Sequence, residues 1–368
     1  MSDFPNTIEV SDSSANDKGI NTEVAIEIDG TPYRFWEGVE IDRSFDSLAD
    51  KFSLTSPWFP KKTKYQDIFR PFSYKDCAIY IGGKKTLTGM ILSVKPQSGA
   101  NSKRIMIEGY SLPGLIADVP AHYTSWPLNM NGLNLEEIAK RLCEPYNIVV
   151  RFEADPGSQF SKSEKIVLEP DEMIGNFLIK LARQRGLIIS SSVDGELLFR
   201  EATVNPAIAF IQDGKYPYIN SDVSYNGQNR YSEVTAIGTN NKKGFGKKYT
   251  VADPGLKNIS IKRPLVIRAQ DVKSGGLIKA ATAKLGRLIA ESIKIKLSIV
   301  GWHTPEGVLY EDNQIITYQS DDDMIYEETD FLIRNCKYIK NGNSRTCDLD
   351  LVLPEAYNGQ IRQVFPWD

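Results

Sequence analysis

What this sequence lacks sets its first limits. Only two histidines, His122 and His303, occur in 368 residues, and the four cysteines, Cys77, Cys143, Cys336 and Cys347, are scattered without a CxxC pair. So spaced, they cannot build a zinc site of the usual kind, so no metal site is expected. The cysteines are expected as buried free thiols, although Cys336 and Cys347 could face each other across a hairpin. No GxSxG elbow, Walker A loop or dinucleotide-binding glycine fingerprint occurs, so no catalytic residue and no cofactor is assigned. No apolar run approaches the ~18 residues that a bilayer-spanning helix needs, so no stable membrane insertion is expected. A strong charge of one sign is also missing: 44 Lys and Arg stand against 47 Asp and Glu, a net charge of −3. That balance argues against a dedicated nucleic-acid binder. Residues 1–21, rich in Ser, Asp and Asn, lack the apolar core of a signal peptide and read as a flexible tail.

What is present is an ordinary globular composition, 41% hydrophobic and 25% charged, in a chain longer than one core usually organises. The first structured part is β. In "EVAIEIDG" Val24, Ile26 and Ile28 alternate with polar residues, and the pattern returns at Cys77, Ile79 and Ile81 and at Ile105 and Ile107. Period two marks half-buried strands, and Asp29-Gly30 and Gly82-Gly83 mark turns between them. Residues 22–125 therefore read as a first antiparallel, barrel-like β-domain. The period then changes. Asn134 can cap a helix with Glu137 three residues on, followed by Leu135, Ile138, Ala139, Leu142 and Cys143 at helical spacing. A second helix opens at Pro170-Asp171 and stops at Gly186, with the short apolar segments "NIVVRF", "GLIISS" and "ELLFRE" around the pair. Residues 126–202 thus read as a small α+β domain. Strands return over 203–353, a second barrel-like β-domain with an inserted helix at about 274–292, and residues 354–368 form a C-terminal tail. The fold class is mixed, mainly β: two antiparallel β-barrel-like domains flank a small α+β domain.

The stretch "SIVGWHTPEGVLYEDNQIITY", residues 298–318, places His303 near Glu306, Glu311 and Asp312. A catalytic histidine needs an orienting partner and a reacting group within hydrogen-bond reach. Here Pro305 and Gly307 punctuate a turn, so the stretch reads as a hairpin running through Ile299 on one side and Leu309, Ile315 and Ile316 on the other. The run Asp321-Asp322-Asp323 lacks the ligand spacing and glycine of a calcium loop and reads as a solvated turn. In "KKGFGKK" Lys242, Lys243, Lys247 and Lys248 flank two glycines; this is expected as a mobile basic hairpin tip, able to meet an acidic partner surface. The tail "NGQIRQVFPWD" is too apolar for a solvated end, so Phe365 and Trp367 are expected to dock on the chain's own body or on a neighbouring subunit. Residues 94–108 and 336–350 align without gaps, Lys95 with Lys337 and Lys103 with Arg345, which raises the question of a duplication.

The order of parts carries a resemblance. "IMIEGYSLPGLIADVPA", the helix pair, "KRPLVIRAQD", an alanine-rich helix and "VGWHTPEGVLYEDNQIITY" follow one another as in the baseplate hub proteins of Mu-type contractile-tailed phages, the tail protein P family, which the chain resembles over residues 22–357. The resemblance implies a structural hub of a tail baseplate in the virion, similar to the central hub of T-even phages. It implies a homotrimer whose two similar domains per chain make a ring of six. That ring would join a three-fold membrane-piercing spike to a six-fold tail tube or tube initiator, beside baseplate wedge components and a tape-measure protein, with DNA only in transit through its channel. Two other classes remain: a tail-associated cell-wall hydrolase and a glycan-binding tail module.

Overall fold

The computed structural model describes residues 20–100, 102–160, 166–202, 205–240, 244–256, 259–269 and 276–367. Most of the expected N-terminal tail, with Lys242 and Lys243, lies outside them. In the first β-region β1 (Val24–Ile28), β2 (Thr31–Tyr33), β3 (Gly38–Ser44), β4 (Lys51–Pro57), α1 (Thr63–Ile68), β5 (Asp76–Ile81), β6 (Lys84–Ser98) and β7 (Lys103–Ser111) follow in order. Alternation decides which face each strand buries: Val24, Ile26 and Ile28 of β1 and Ile105 and Ile107 of β7 are all under 5% exposed.

The middle region holds α2 (Leu115–Asp118), α3 (Leu135–Cys143), β8 (Val150–Phe152), α4 (Ile174–Arg185), β9 (Ile188–Ser191) and β10 (Leu197–Arg200). The Asn134 side chain accepts from the Glu137 backbone N–H at 2.8 Å while the Glu137 carboxylate accepts from the Asn134 N–H at 2.7 Å, a complete capping box. Gly186 ends α4 at φ +75°, a left-handed turn that glycine enters without strain. These helices close with the small sheet β8-β10-β9 over their own core, centred on Ile138, Leu142, Ile174, Leu178 and Phe199.

In the last region come β11 (Ala207–Gln212), β12 (Tyr218–Tyr225), β13 (Glu233–Asn240), β14 (Gly244–Ala252), β15 (Pro264–Ala269), α5 (Gly276–Glu291), β16 (Ile293–Val300), β17 (Ile315–Ser320), β18 (Ile325–Asn341), β19 (Ser344–Val352) and α6 (Glu355–Asn358). Strands β14-β13-β15 form a separate three-stranded sheet, one face of which α5 covers.

The two β-regions share one 13-stranded sheet in the order β12-β16-β19-β18-β3-β4-β7-β6-β5-β1-β2, with β17 and β11 attached at β18. Among the described residues no sheet closes on itself, so the barrel-like units expected from the sequence are open. The reason lies at one edge. β3 gives its free edge to β18, Ile41 facing Tyr338, and this carries the sheet across from one region to the other.

The two regions are also copies of one pattern. Strands β3-β4-β7-β6-β5 and β12-β16-β19-β18-β17 stand in the same order and pair antiparallel throughout; the next strand differs, β1 joining β5 antiparallel and β11 joining β17 parallel. In the β6·β7 hairpin Val94 faces Ile107, Lys95 faces Met106 and Ser98 faces Lys103; in the β18·β19 hairpin Cys336 faces Leu349, Lys337 faces Asp348 and Lys340 faces Arg345. The offset is the one in the sequence alignment, 94 to 336. Even the bulge recurs at that offset, between Ile91 and Ser93 and between Ile333 and Asn335. A bulge re-aims a strand and is a built feature of a fold, so its recurrence argues for a true internal repeat.

The stretch 298–318 is not a hairpin. β16 pairs with β12 and β19, and β17 pairs with β18 and β11, so two strands stand between them. Residues 301–314 instead cross from β16 to β17, with an isolated bridge between His303 and Leu309 and backbone bonds from Gly301 to Arg345 and from Asn313 to Ile333. Pro305 and Gly307 did mark a turn, Gly307 at φ +86°, but a local one inside the crossing.

Candidate assembly surfaces

Asp312 and Glu311, two of the carboxylates near His303 in the sequence, pair with basic side chains. Asp312, 9% exposed, receives Arg43 at 2.9 Å and Arg200 at 2.6 Å. Arg43 also lies 3.6 Å from Asp50 and 3.6 Å from Glu311, which receives Lys84 at 2.7 Å. Burial pushes the Asp50 carboxyl up to about 7 despite Arg43. Burial acts on Asp312 in the same direction, but Arg43 and Arg200 overcome it and hold its carboxyl below the usual range. Arg43 comes from β3, Arg200 from the end of β10 and Asp312 from the crossing. The network therefore ties three regions together and is structural. Its signal was present in the sequence: Arg43 falls on the inward phase of "VEIDR", after Val39 and Ile41.

His303 is 7% exposed, beside Trp302, which is fully buried. The Trp302 indole N–H donates to the carbonyls of Ile339 and Thr346, at 3.2 and 3.0 Å, and its ring meets Tyr338 edge-on at 5.9 Å. His122 sits in a short turn and accepts from the Thr124 N–H at 3.4 Å. Asp321–Asp323 turn the chain between β17 and β18, where Tyr318 donates to Asp323 at 2.6 Å. All four cysteines are buried and free; Cys336 and Cys347 sit diagonally across the β18·β19 hairpin with their sulfurs 3.3 Å apart. Among the described residues no three metal-ligating side chains cluster, and no helix is long and apolar enough to cross a membrane.

Lys247 and Lys248 are exposed on β14. At the C-terminus Phe365 is 3% exposed, covered by the Arg230 guanidinium at 4.4 Å, and stacks on Trp367 at 5.0 Å. Trp367 meets Tyr225 edge-on at 5.4 Å and lines a cleft of about 260 Å³ with Arg230, Ser292 and Met324. The tail thus packs on its own chain.

Two surfaces escaped sequence reasoning. Between β4 and β5, Phe72 (84% exposed) and Tyr74 (58%) stand out at φ +58° and +47°, a backbone region that bulky side chains avoid. The second surface is a pair of open strand edges. β18 uses one edge twice, residues 325–332 for β17 and 335–341 for β3. Its counterpart β6 uses residues 84–90 of that edge for β5, and the stretch after Ser93 has no partner strand among the described residues. Among the described residues β12, the counterpart of β3, pairs only with β16.

Comparison with known proteins agrees with this architecture. Residues 23–111 match the family model described as Mu phage baseplate assembly protein GpP-like, N-terminal, and residues 121–201 match the second domain of the baseplate hub protein gp44-like family. The chain is 26% identical to the baseplate hub protein gp44 of Escherichia phage Mu over 334 residues, 88% of this chain and 85% of that protein. Two solved structures share its fold with a TM-score of 0.75 each. The 43 kDa tail protein of prophage MuSo2 from Shewanella oneidensis is 24% identical and covers 91% of this chain and 99% of its own. The tail protein from Neisseria meningitidis MC58 is 22% identical and covers 92% and 98%. A component of the type VI secretion system of E. coli, described as similar to T4 tail proteins gp27 and gp5, matches at a TM-score of 0.53 with 12% identity, over 92% of this chain and 80% of its own.

A repeated β-architecture around a small α+β region is the fold this chain shares with the solved phage tail proteins. The chain is thus similar to the Mu-type baseplate hub proteins over most of its length, with residues 23–111 and 121–201 each matching a domain model of that group.

Proposed function

We propose that the chain acts as a homotrimeric ring that joins a three-fold tail spike to the six-fold tail tube or its initiator, and that this role is structural, without a reaction of its own. The observation that carries the reading is the internal repeat. One pattern of five antiparallel strands occurs twice in each chain, with the same hairpin register and the same bulge, so three chains supply six like units around one axis. Such a body presents three-fold identity and six-fold likeness at once, which is what a junction between those symmetries requires. Residues 22–125 and 203–353 are the two repeating units in this reading, with 126–202 set between them as a third. Lys242, Lys243, Lys247 and Lys248, with the partly exposed Trp367, are proposed contacts to neighbouring tail components, while Phe365 is buried on its own chain; wedge and tape-measure proteins are further proposed neighbours.

The test is light scattering on the purified chain together with particle images. A trimer of about three chain masses with a three-fold ring is expected; a monomer that persists at micromolar concentration refutes the ring. Release of peptidoglycan fragments by the pure protein, lost on one carboxylate substitution, would overturn the non-catalytic reading.

A further inference from the structure

Inside one chain, β18 and β3 form a seam between repeats. Their register sets Lys337 opposite Asp42, Tyr338 opposite Ile41 and Ile339 opposite Glu40, and the Lys337 ammonium reaches Glu40 diagonally at 2.7 Å. The repeat maps each side of this seam onto an open edge. β18 corresponds to β6, Lys337 to Lys95. β3 corresponds to β12 through their common partners: Ile41 faces Phe52 of β4 as Val223 faces Ile295 of β16. Phe52 and Ile295 in turn face the matching residues Gly109 and Leu351.

We infer that β6 of one chain pairs antiparallel with β12 of a second copy, Val94 opposite Tyr225, Lys95 opposite Ser224 and Pro96 opposite Val223. The occupant is a copy of this chain because the seam already exists once, intramolecularly, with the same two strand types. Three features fit. The alternation is right: Val94 and Val223 pack, partly buried, against the core that takes Ile41 and Tyr338, and Pro96 and Tyr225 share their phase. The charge is right: Lys95 and Asp222 take the places of Lys337 and Glu40, so the diagonal ion pair is reproduced between copies, and both residues are exposed in the single chain. The lengths match, since the β18 stretch that pairs β3 corresponds to residues 93–99.

Pro96 makes the two seams unequal. At its position in β18, Tyr338 lies in a hydrogen-bonded pair, as the bonds from Gly342 to Glu37 and from Phe45 to Arg334 set the phase of the ladder. Proline has no N–H, so the seam between copies is one donor short of the seam within a chain. A weaker edge also resists pairing with unrelated strands.

This inference rests on the ring reading, and the experiment separates the two. Lys95→Cys and Ser224→Cys are combined in the full chain, whose native thiols are all buried, and the assembled protein is oxidised. Covalent two- and three-copy species, reversed by reductant and absent from either single variant, are expected. A trimer by light scattering that yields no cross-link here or with Gln97→Cys plus Asp222→Cys overturns the pairing and leaves the ring standing; a persistent monomer overturns both. Charge reversal gives a second readout. Lys95→Glu and Asp222→Lys should each raise the concentration at half-assembly roughly 2- to 5-fold per interface at low salt, and the double variant should recover it. Additive losses without recovery count against the ion pair and its register.

Discussion

Asp312→Asn keeps the shape of the side chain and removes the carboxylate that two arginines share. The magnitude follows from the geometry. Arg43, 6% exposed, and Arg200 approach Asp312 at 2.9 and 2.6 Å, and after the change Arg43 keeps only Asp50 and Glu311, each at 3.6 Å. Removing one member of a buried ion pair costs ~3–5 kcal/mol, because the surviving charge remains buried without its counter-charge. A loss of ~3–4 kcal/mol is expected at pH 7. Urea unfolding followed by tryptophan emission measures it, since the buried Trp302 stands beside Tyr338 in the core next to the network. Arg200→Met and the double variant complete a cycle, and a coupling of ~1–3 kcal/mol is expected from groups in direct contact. A loss below ~1 kcal/mol for Asp312→Asn, or simple additivity with Arg200→Met, would refute the claim that this network fastens the three regions together.

The Asp50 carboxyl, held by burial at about 7, ionises near ~3.9 in an unfolded chain. Between those values the folded state holds the proton that the unfolded chain has lost. Its contribution to stability therefore falls as pH rises through that window, and Asp50→Asn should flatten this part of a stability–pH curve. Trp302→Ala should cost ~3–5 kcal/mol in thermal or urea unfolding, as a fully buried indole with two accepted N–H contacts is lost. His303→Gln should leave assembly by light scattering unchanged, and its failure would return that histidine to consideration as a working group. Burial pushes the Cys77 and Cys143 thiols up to about 12, so iodoacetamide at pH 8 should label neither in the native protein and both in urea, as read by mass spectrometry.

Local physics made much of the fold legible. The period-two stretches at Val24–Ile28 and Cys77–Ile81 became strands, and the Asn134 capping box formed as the spacing required. Those signals are carried by neighbours in sequence. The hairpin expected around His303 failed because strand pairing is not local: β19 and β18 come later in the chain and insert between β16 and β17. The ion network was hidden for the same reason, since Arg43, Arg200 and Asp312 lie far apart in sequence and only the fold brings them together. The repeat was half legible. Residues 94–108 and 336–350 align by eye, but the shared bulge and strand order that make the case are properties of pairing, not of the letters.

The seam between β18 and β3 also has a kinetic consequence. A ring of six separate repeats would need every joint made by collision, each paying an estimated 4–15 kcal/mol of lost translational and rotational freedom. In the proposed ring, tethering two repeats in one chain would make half of those joints during folding, at the high effective concentration that a covalent link provides. Tethering also breaks the equivalence of the partners. The connection after β4 exposes Phe72 and Tyr74, while its counterpart after β16 is folded inward on Trp302 and Tyr310, and only the second repeat carries β13, β14, β15 and α5. A change in one half therefore need not be repeated in the other.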